Sequence, residues 1–537
     1  MVWVPRMFHI VKHRPQCTAP RKRVLGDNGP VDNILGLKSY DEVIAGFSWD
    51  RLWALFDGDE AGMNLAHECV DRHRSKGTAI SVKFGDGRSE HYSFGQLADE
   101  TGRFANWLVK RSVQKGDRVA VIVDPSLGFY TGMFGAMKRG AIAVPMFTLF
   151  GPEGLALRVN DCKPKLILVQ VDPAPLQAQF PEAQVVRVDE QFWLELQQEN
   201  REYFSETKSS DLALFQYTSG TTRELPDAVK HTHRSVVTLM VAALYGLGLR
   251  PGDRYFCPSS PAWGHGLAHG TLSPLALGIR TASYSGKFEA ARMFEALQEF
   301  GIDTMAAAPT VFRMMRNSGL KGGALRKISY AGEPMDASTA AWIEQTFGVV
   351  PASMYGTTEV GVALVNYPGL AGFRIKPGSL GKPVPGLKMA ILGPDGTELP
   401  ADRTGEIALK RKGAWVPLKD RGYIDADGYF YIEGRSDDVI ISAGWTMSAV
   451  EIENTLLKHP SVLEAAVVGA PDELRGQVAK AYIVAREKSD AVVADIQAFM
   501  KAQLSKHEYP RLVEFVGELP KTPAGKVNRK ILRERSK

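Results

Sequence analysis

The sequence predicts an α/β protein with a large N-terminal doubly wound body, a small β-barrel or sheet, and a smaller α+β domain at the C-terminus. Three observations carry this. From about residue 45 helical stretches alternate with β-branched runs, the pattern of a parallel sheet wrapped by helices. Between about 365 and 435 short strands are separated by Gly, Pro and Asp turns. After Arg435 the texture shifts again, to strands and helices of a compact module. A chain of 537 residues is also too long for one core.

In chain order, residues 1–44 read as a basic leader and N-terminal extension; the first 25 residues carry Arg6, Lys12, Arg14, Arg21, Lys22 and Arg23 and no acid. No uninterrupted apolar core accompanies them, so they do not form a secretory signal. The body, 45–436, includes a helix at 95–111, strands at 118–124, 165–171 and 211–217, and a buried helix within 235–249. That last apolar run is shorter than the ~20 residues a bilayer requires. Strands follow at 388–393, 405–410 and 429–434. The C-terminal unit, 437–537, begins with a loop at 436–448, then a helix at 448–460, strands at 463–470 and 478–485, and a helix at 494–507.

Composition removes several function classes. Hydrophobic residues make up 44% and charged residues 23%, as in ordinary globular proteins. The formal net charge of +5 is small for this length, and Lys and Arg are interleaved with acids. No nucleic-acid partner is therefore expected. Four cysteines (Cys17, Cys69, Cys162, Cys257) lie far apart with no metal-ligand spacing. That suits a reducing cytoplasm and excludes a disulfide scaffold or zinc site.

Two distant fragments carry the chemistry: 216-QYTSGTT-222 and 519-LPKTPAGKVNR-529. In the first, a strand runs into Thr218, Ser219, Gly220, Thr221 and Thr222, with a helix beginning near Ser235. Hydroxyls and backbone N–H groups around a glycine can wrap phosphate oxygens. The alternative is a plain turn. The lysine signature of a P-loop is absent. The second fragment displays Lys526 in a glycine turn formed by residues 522–525, or else leaves it as a solvated tail lysine.

Further fragments follow in order: 331-AGEP-334, 355-YGTTE-359, Asp420 ahead of 421-RGYIDADGY-429, and 434-GRSDDVIISAG-444. Together, over about residues 45–530, the chain resembles the acyl-adenylate-forming superfamily of acyl-CoA synthetases, peptide-synthetase adenylation domains and firefly luciferase. The resemblance implies an ATP-dependent acid:CoA ligase that releases AMP through an acyl-adenylate, with ATP, Mg2+ and coenzyme A as reactants or cofactors. It implies phosphate contacts from 218–222 and Thr358, with Mg2+ on Glu359. Gly332, Glu333, Pro334, Tyr355, Gly356 and Thr357 would line the adenine and α-phosphate. Asp420 and Arg435 would hold the ribose, and Lys526 would bridge the substrate carboxylate and α-phosphate. Asp437 matches a hinge about which the small C-terminal domain is mobile. Ala443 and Gly444 would line a thiol tunnel, with Arg475 on the CoA phosphates.

The chain departs from the family after residue 222, where Arg223 to Asp227 replace the usual Gly and Pro-Lys. An acid at 227 opposes the leaving pyrophosphate unless it points outward; Arg223 or Lys230 could restore the charge. Gly356 stands where acetate-specific relatives carry tryptophan. Trp263 and His265, within 261-PAWGHG-266, match the border of the acyl pocket, though His265 is equally readable as a packing residue. The segment 149-LFGPEGL-155 also fits the acetyl-CoA and medium-chain branch. A medium-chain, branched or aromatic carboxylate is expected. Two alternatives stand beside this: loading of a carrier protein, and a nucleotide-binding paralogue that has lost turnover.

Overall fold

The computed structural model describes residues 34–217, 228–357, 360–435, 439–442, 445–472, 476–504, 509–521 and 527–536. Two largely parallel sheets organise the body. The first has six strands in the order Gln184–Arg187, Leu166–Val169, Arg118–Ile122, Ile142–Pro145, Leu212–Gln216 and Val229–Thr232; only the last pair is antiparallel. Its central runs are continuously apolar because helices cover both faces: Leu166, Ile167, Leu168 and Val169 are all buried.

The second sheet has nine strands. From Ala352–Thr357 through Lys327–Tyr330, Thr304–Ala307, Arg254–Phe256 and Arg280–Ser285 to Thr78–Phe84 the pairing is parallel, with antiparallel strands added at both edges. Helices between the sheets contribute to one shared core with Val119, Leu168, Val82, Tyr255 and Met354. The helix Phe94–Lys110 shows how the sequence directs this. Ser93 caps it by accepting from the Gln96 N–H, and Leu97, Thr101, Phe104, Ala105 and Leu108 bury one face. Burying Phe104 alone is worth roughly 2–3 kcal/mol. The helix Leu127–Arg139 stops at Gly140, whose φ of 81° is the left-handed conformation a helix end favours.

The 365–435 region is a four-stranded antiparallel meander, Met389–Leu392, Gly405–Arg411, Ala414–Ile424 and Phe430–Arg435 in sequential order. Beyond it, strands Val439–Ser442, Trp445–Ser448, Val462–Asp472, Gly476–Ala485 and Leu512–Phe515 form one five-stranded sheet with helices Ala449–Leu456 and Asp490–Gln503.

Three expectations change. Residues 34–44, counted with the leader, are integral to the body: Ile34 and Val43 are fully buried, and Tyr40 packs its ring against Tyr367 and Phe373 at 5.1 Å each. The expected loop at 436–448 contains a hairpin, Val439–Ser442 paired with Trp445–Ser448. Finally, the helix expected near Ser235 begins there, as Ser235–Val241, but a strand comes before it. A strand, Val229–Thr232, returns antiparallel beside Leu212–Gln216. The short return strand was hidden by its polar Lys, His and Thr. Among the described residues, no helix is long and apolar enough to cross a membrane.

Candidate active site

In parallel sheets ligands gather at the carboxyl ends of strands. There the strand Leu212–Gln216 delivers Gln216 and Tyr217 to the start of 218–222, which itself lies outside the described residues, as do Arg223 and Asp227. Gln216 Oε1 meets His231 Nε2 at 3.2 Å. Its amide also lies so close to Gly264 that a β-carbon there would come within 2.5 Å of Nε2. Gly264 thus lets the expected phosphate segment and the expected acyl segment touch. Lys230, offered above as a replacement charge, is exposed and lies 5.4 Å from the Phe215 ring centre.

The next carboxyl end belongs to Lys327–Tyr330, followed by 331-AGEP-334. Gly332 adopts φ 96°, a conformation closed to most other residues. The Glu333 carboxylate turns away from the bend and accepts from the Thr310 N–H at 2.7 Å, from the Thr310 hydroxyl, and from Arg313 at 2.9 Å. It acts as an anion at the start of the helix Pro309–Asn317, tying the loop to the neighbouring strand end. The Glu333 side chain is thereby committed to protein partners.

Two residues on, Asp336 caps the helix Ala337–Phe347 through Thr339 N–H at 2.9 Å and accepts from Ser338 at 2.6 Å. Burial pushes its carboxyl up, but these hydrogen bonds and the Arg313 charge outweigh burial and hold it below the usual range. A depressed folded value stabilises the protein above the unfolded value near 4. We therefore expect stability to fall as pH drops below about 4, and Asp336→Asn to flatten that part of an acid denaturation profile.

The strand Ala352–Thr357 brings Tyr355, Gly356 and Thr357 beside that loop, with Tyr330 in register with Ser353. Tyr355 donates its hydroxyl to the Asp420 carboxylate at 2.5 Å. Asp420, 6% exposed, belongs to the meander, where it stands opposite Arg435 in strand register. Motifs 65 residues apart thereby share one polar contact. Gly356 lies at a register shift, and a β-carbon there would come 2.1 Å from the Gly361 carbonyl oxygen. The glycine is demanded by its own strand pair as well as by any ligand. Gly356→Ala is expected to cost on the order of 1–3 kcal/mol, measured by thermal unfolding; an unchanged melt would mean the strand Gly361–Val365 yields freely.

The aromatic border is built by Trp263, 8% exposed, with Phe147 and Phe150 at 5.6 and 5.7 Å between ring centres. The Arg158 guanidinium covers Phe150 at 3.9 Å. Sequence reasoning quoted Phe150 without giving it a role and missed Phe147. Its signal was an aromatic pair just after the strand Ile142–Pro145. His265 opens a π-helix, His265–Leu272, and its Nδ1 lies 3.4 Å from Cys257 Sγ. Its ring stands 5.6 Å from that of His269, whose imidazole burial, and secondarily the neighbouring His265, pushes down to about 3. A second π-helix, Ala242–Gly246, packs behind the nucleotide side; a β-carbon at Gly246 would meet Met354 Sδ at 2.6 Å. Such wide turns are frequent at functional sites.

Residues 218–222, Thr358, Glu359, Asp437, Ala443, Gly444, Arg475 and Lys526 lie outside the described residues. The base of the Lys526 turn is described: Lys521 and Val527 form an antiparallel bridge, and Lys521 pairs with Glu464 at 2.9 Å. The following helix, Arg529–Arg535, is anchored by Arg529 on Glu453 at 2.6 Å and by buried Leu532.

Residues 68–416 match the family model of the AMP-binding enzymes, and residues 451–526 match that of the AMP-binding enzyme C-terminal domain. The chain is 32% identical to an acetyl-coenzyme A synthetase of Bacillus subtilis, over 93% of this chain and 95% of that protein. It is 30% identical to 4-hydroxybutyrate–CoA ligase 1 of Metallosphaera sedula, over 87% and 88% respectively. A crystal structure of an anthranilate CoA ligase with anthranoyl-AMP superposes with a TM-score of 0.80 at 27% identity, covering 90% of this chain and 98% of that one. With both family models matched in order and relatives aligned along nearly their whole length, the chain belongs to the AMP-binding enzyme family.

Proposed function

We infer that the acid activated by this AMP-forming acid:CoA ligase is a medium-chain, branched or aromatic monocarboxylate. The observation that carries the nucleotide half of the reading is the Tyr355–Asp420 hydrogen bond, which joins two motif segments around one buried carboxylate. The acid half rests on Trp263, Phe147 and Phe150, an aromatic wall suited to apolar substrate surface. Named relatives act on acids from acetyl to 4-hydroxybutyrate, and a structural neighbour holds an aromatic adenylate.

In this reading the carboxylate oxygen attacks the α-phosphorus of ATP and pyrophosphate leaves. The CoA thiolate then attacks the acyl carbon, and AMP leaves. Thr218, Ser219, Gly220, Thr221 and Thr222 wrap the phosphates, and Thr357 and Thr358 face the α-phosphate. Gly332, Glu333 and Pro334 offer backbone to the base, while Asp420 and Arg435 take the ribose hydroxyls. Glu359 would hold the Mg2+ ion, a cation that needs only one or two protein carboxylates. Its chemistry is to neutralise charge on the triphosphate. Lys526 bridges the two reacting anions from a C-terminal domain that starts at Asp437 and turns about it. Ala443, Gly444 and Arg475 then serve CoA. A cytoplasmic location fits the buried, unpaired Cys69, Cys162 and Cys257.

The test is AMP release from ATP and Mg2+ with acetate, hexanoate, 2-methylbutyrate and benzoate, each with and without CoA. CoA-dependent AMP with one of the larger acids at least tenfold above acetate is the expected result. AMP with acetate alone would overturn the acid class. Adenylate that accumulates regardless of CoA would point to a carrier-protein acceptor, and AMP from none of them to a paralogue without turnover.

A further inference from the structure

The described surface and interior offer few polar atoms that are both buried and without a protein partner. On the segment expected to border the acyl pocket, Trp263 Nε1 and His269 Nδ1 are buried without a hydrogen-bond partner among the described residues. Buried polar groups are otherwise nearly always paired, and an orphan at a ligand site implies a partner that arrives with the ligand.

His269 is placed to receive one. It lies four residues beyond His265 on the π-helix, and the partly exposed positions Gly264, His265, Ala268 and His269 follow helical spacing, so they form one face. The remaining residues of that helix, Gly266, Leu267, Gly270, Thr271 and Leu272, are buried in the body. That face begins with Gly264 and His265 of the expected acyl segment. Its near end, at Gly264, touches Gln216 at the mouth of the phosphate segment. His269 lies one turn further along the helix. The imidazole stays neutral at physiological pH, because burial disfavours its charged form. A neutral ring offers one N–H and one lone pair. That chemistry welcomes a group that both donates and accepts. It rejects a second carboxylate, which would be desolvated without a cation to pair it.

We propose that His269 is a specificity-determining residue that hydrogen-bonds a neutral hydroxyl or keto oxygen at the far end of the acyl group, so that the ligase selects hydroxy- or keto-monocarboxylates over their plain and dicarboxylate counterparts. This rests on the reading of the Trp263 cleft as the acyl pocket. It divides the labour along the substrate: Trp263 with Phe147 and Phe150 covers the apolar stem, and His269 reads the tip.

The experiment compares kcat/KM for 6-hydroxyhexanoate, hexanoate and adipate, and for 3- and 4-hydroxybenzoate with benzoate, in the full-length enzyme and in His269→Leu and His269→Gln. The hydroxy acid of at least one series should exceed its plain partner by about tenfold or more, the value of one hydrogen bond to an otherwise unpaired buried group. His269→Leu should bring that ratio close to one while leaving the KM for ATP unchanged; His269→Gln should keep part of it. Because His269 Nδ1 has no protein hydrogen bond to lose, His269→Leu should melt close to the parent, whereas a histidine held by protein hydrogen bonds would lose stability. Turnover of plain acids with no preference for hydroxy acids overturns the assignment alone. An equal fall for both acids in His269→Leu also overturns it. AMP from no acid in either series sinks the acid class and the His269 assignment together.

Discussion

Replacing Lys526 by alanine lowers acyl-adenylate formation by about 10²–10³-fold, the usual cost of one preorganised group removed from a developing charge, and leaves the transfer from preformed acyl-adenylate to CoA nearly intact. Two anions must meet before the first step, and in the proposed reading the Lys526 ammonium lies between them only then. The second step has no such pair. The substitution should not disturb its surroundings, because the described residues on either side of it make their own contacts. Lys521 and Val527 bridge to one another, Lys521 pairs with Glu464, and Arg529 on Glu453 anchors the helix beyond. Measuring the two half-reactions separately, with chemically prepared adenylate for the second, decides the matter. Equal loss in both halves would mean that the substitution damaged the domain as a whole. No loss in the first would remove Lys526 from the chemistry.

Asp420→Ala raises the KM for ATP by 10²-fold or more, since hydrogen bonds to a charged group are worth about 1.5–3 kcal/mol each and the ribose offers two hydroxyls. Tyr355→Phe has a smaller effect, of order tenfold, because it removes only the donor that orients Asp420. The two residues touch, so their effects should be non-additive by roughly 0.5–3 kcal/mol in a double-mutant cycle. Direct nucleotide binding, free of any acid, is the measurement. Strict additivity would mean that the tyrosine does not orient the carboxylate on which the reading depends.

Much of the fold was legible because it depends on periodicity. The buried strands of the six-stranded sheet are continuous apolar runs, and the helix Phe94–Lys110 alternates its faces in the 3.6-residue period. What escaped was short and polar. The strand Val229–Thr232 has too few apolar residues to signal itself and exists because Leu212–Gln216 lends it a ladder. The hairpin at 439–448 likewise forms by pairing, which no local pattern reports. In the site, ordered motifs located Tyr355 and Asp420 but could not tell that one donates to the other. Nor could they tell that Glu333 turns back to Thr310 and Arg313, since that depends on two strand ends being neighbours. Gly356 was legible as a missing side chain; that the adjacent strand forbids one was not.

The π-helix His265–Leu272 has a further consequence for how such a chain diversifies. A π-turn accommodates one residue more than an α-turn, and each residue of an α-helix advances about 100° around the axis. Loss of a single codon within this segment would restore ordinary pitch and swing the downstream side chains by that angle, exchanging the group that meets the substrate without altering any other residue. In a chain with this pitch, a one-residue deletion would therefore change which side chains share a face with His265.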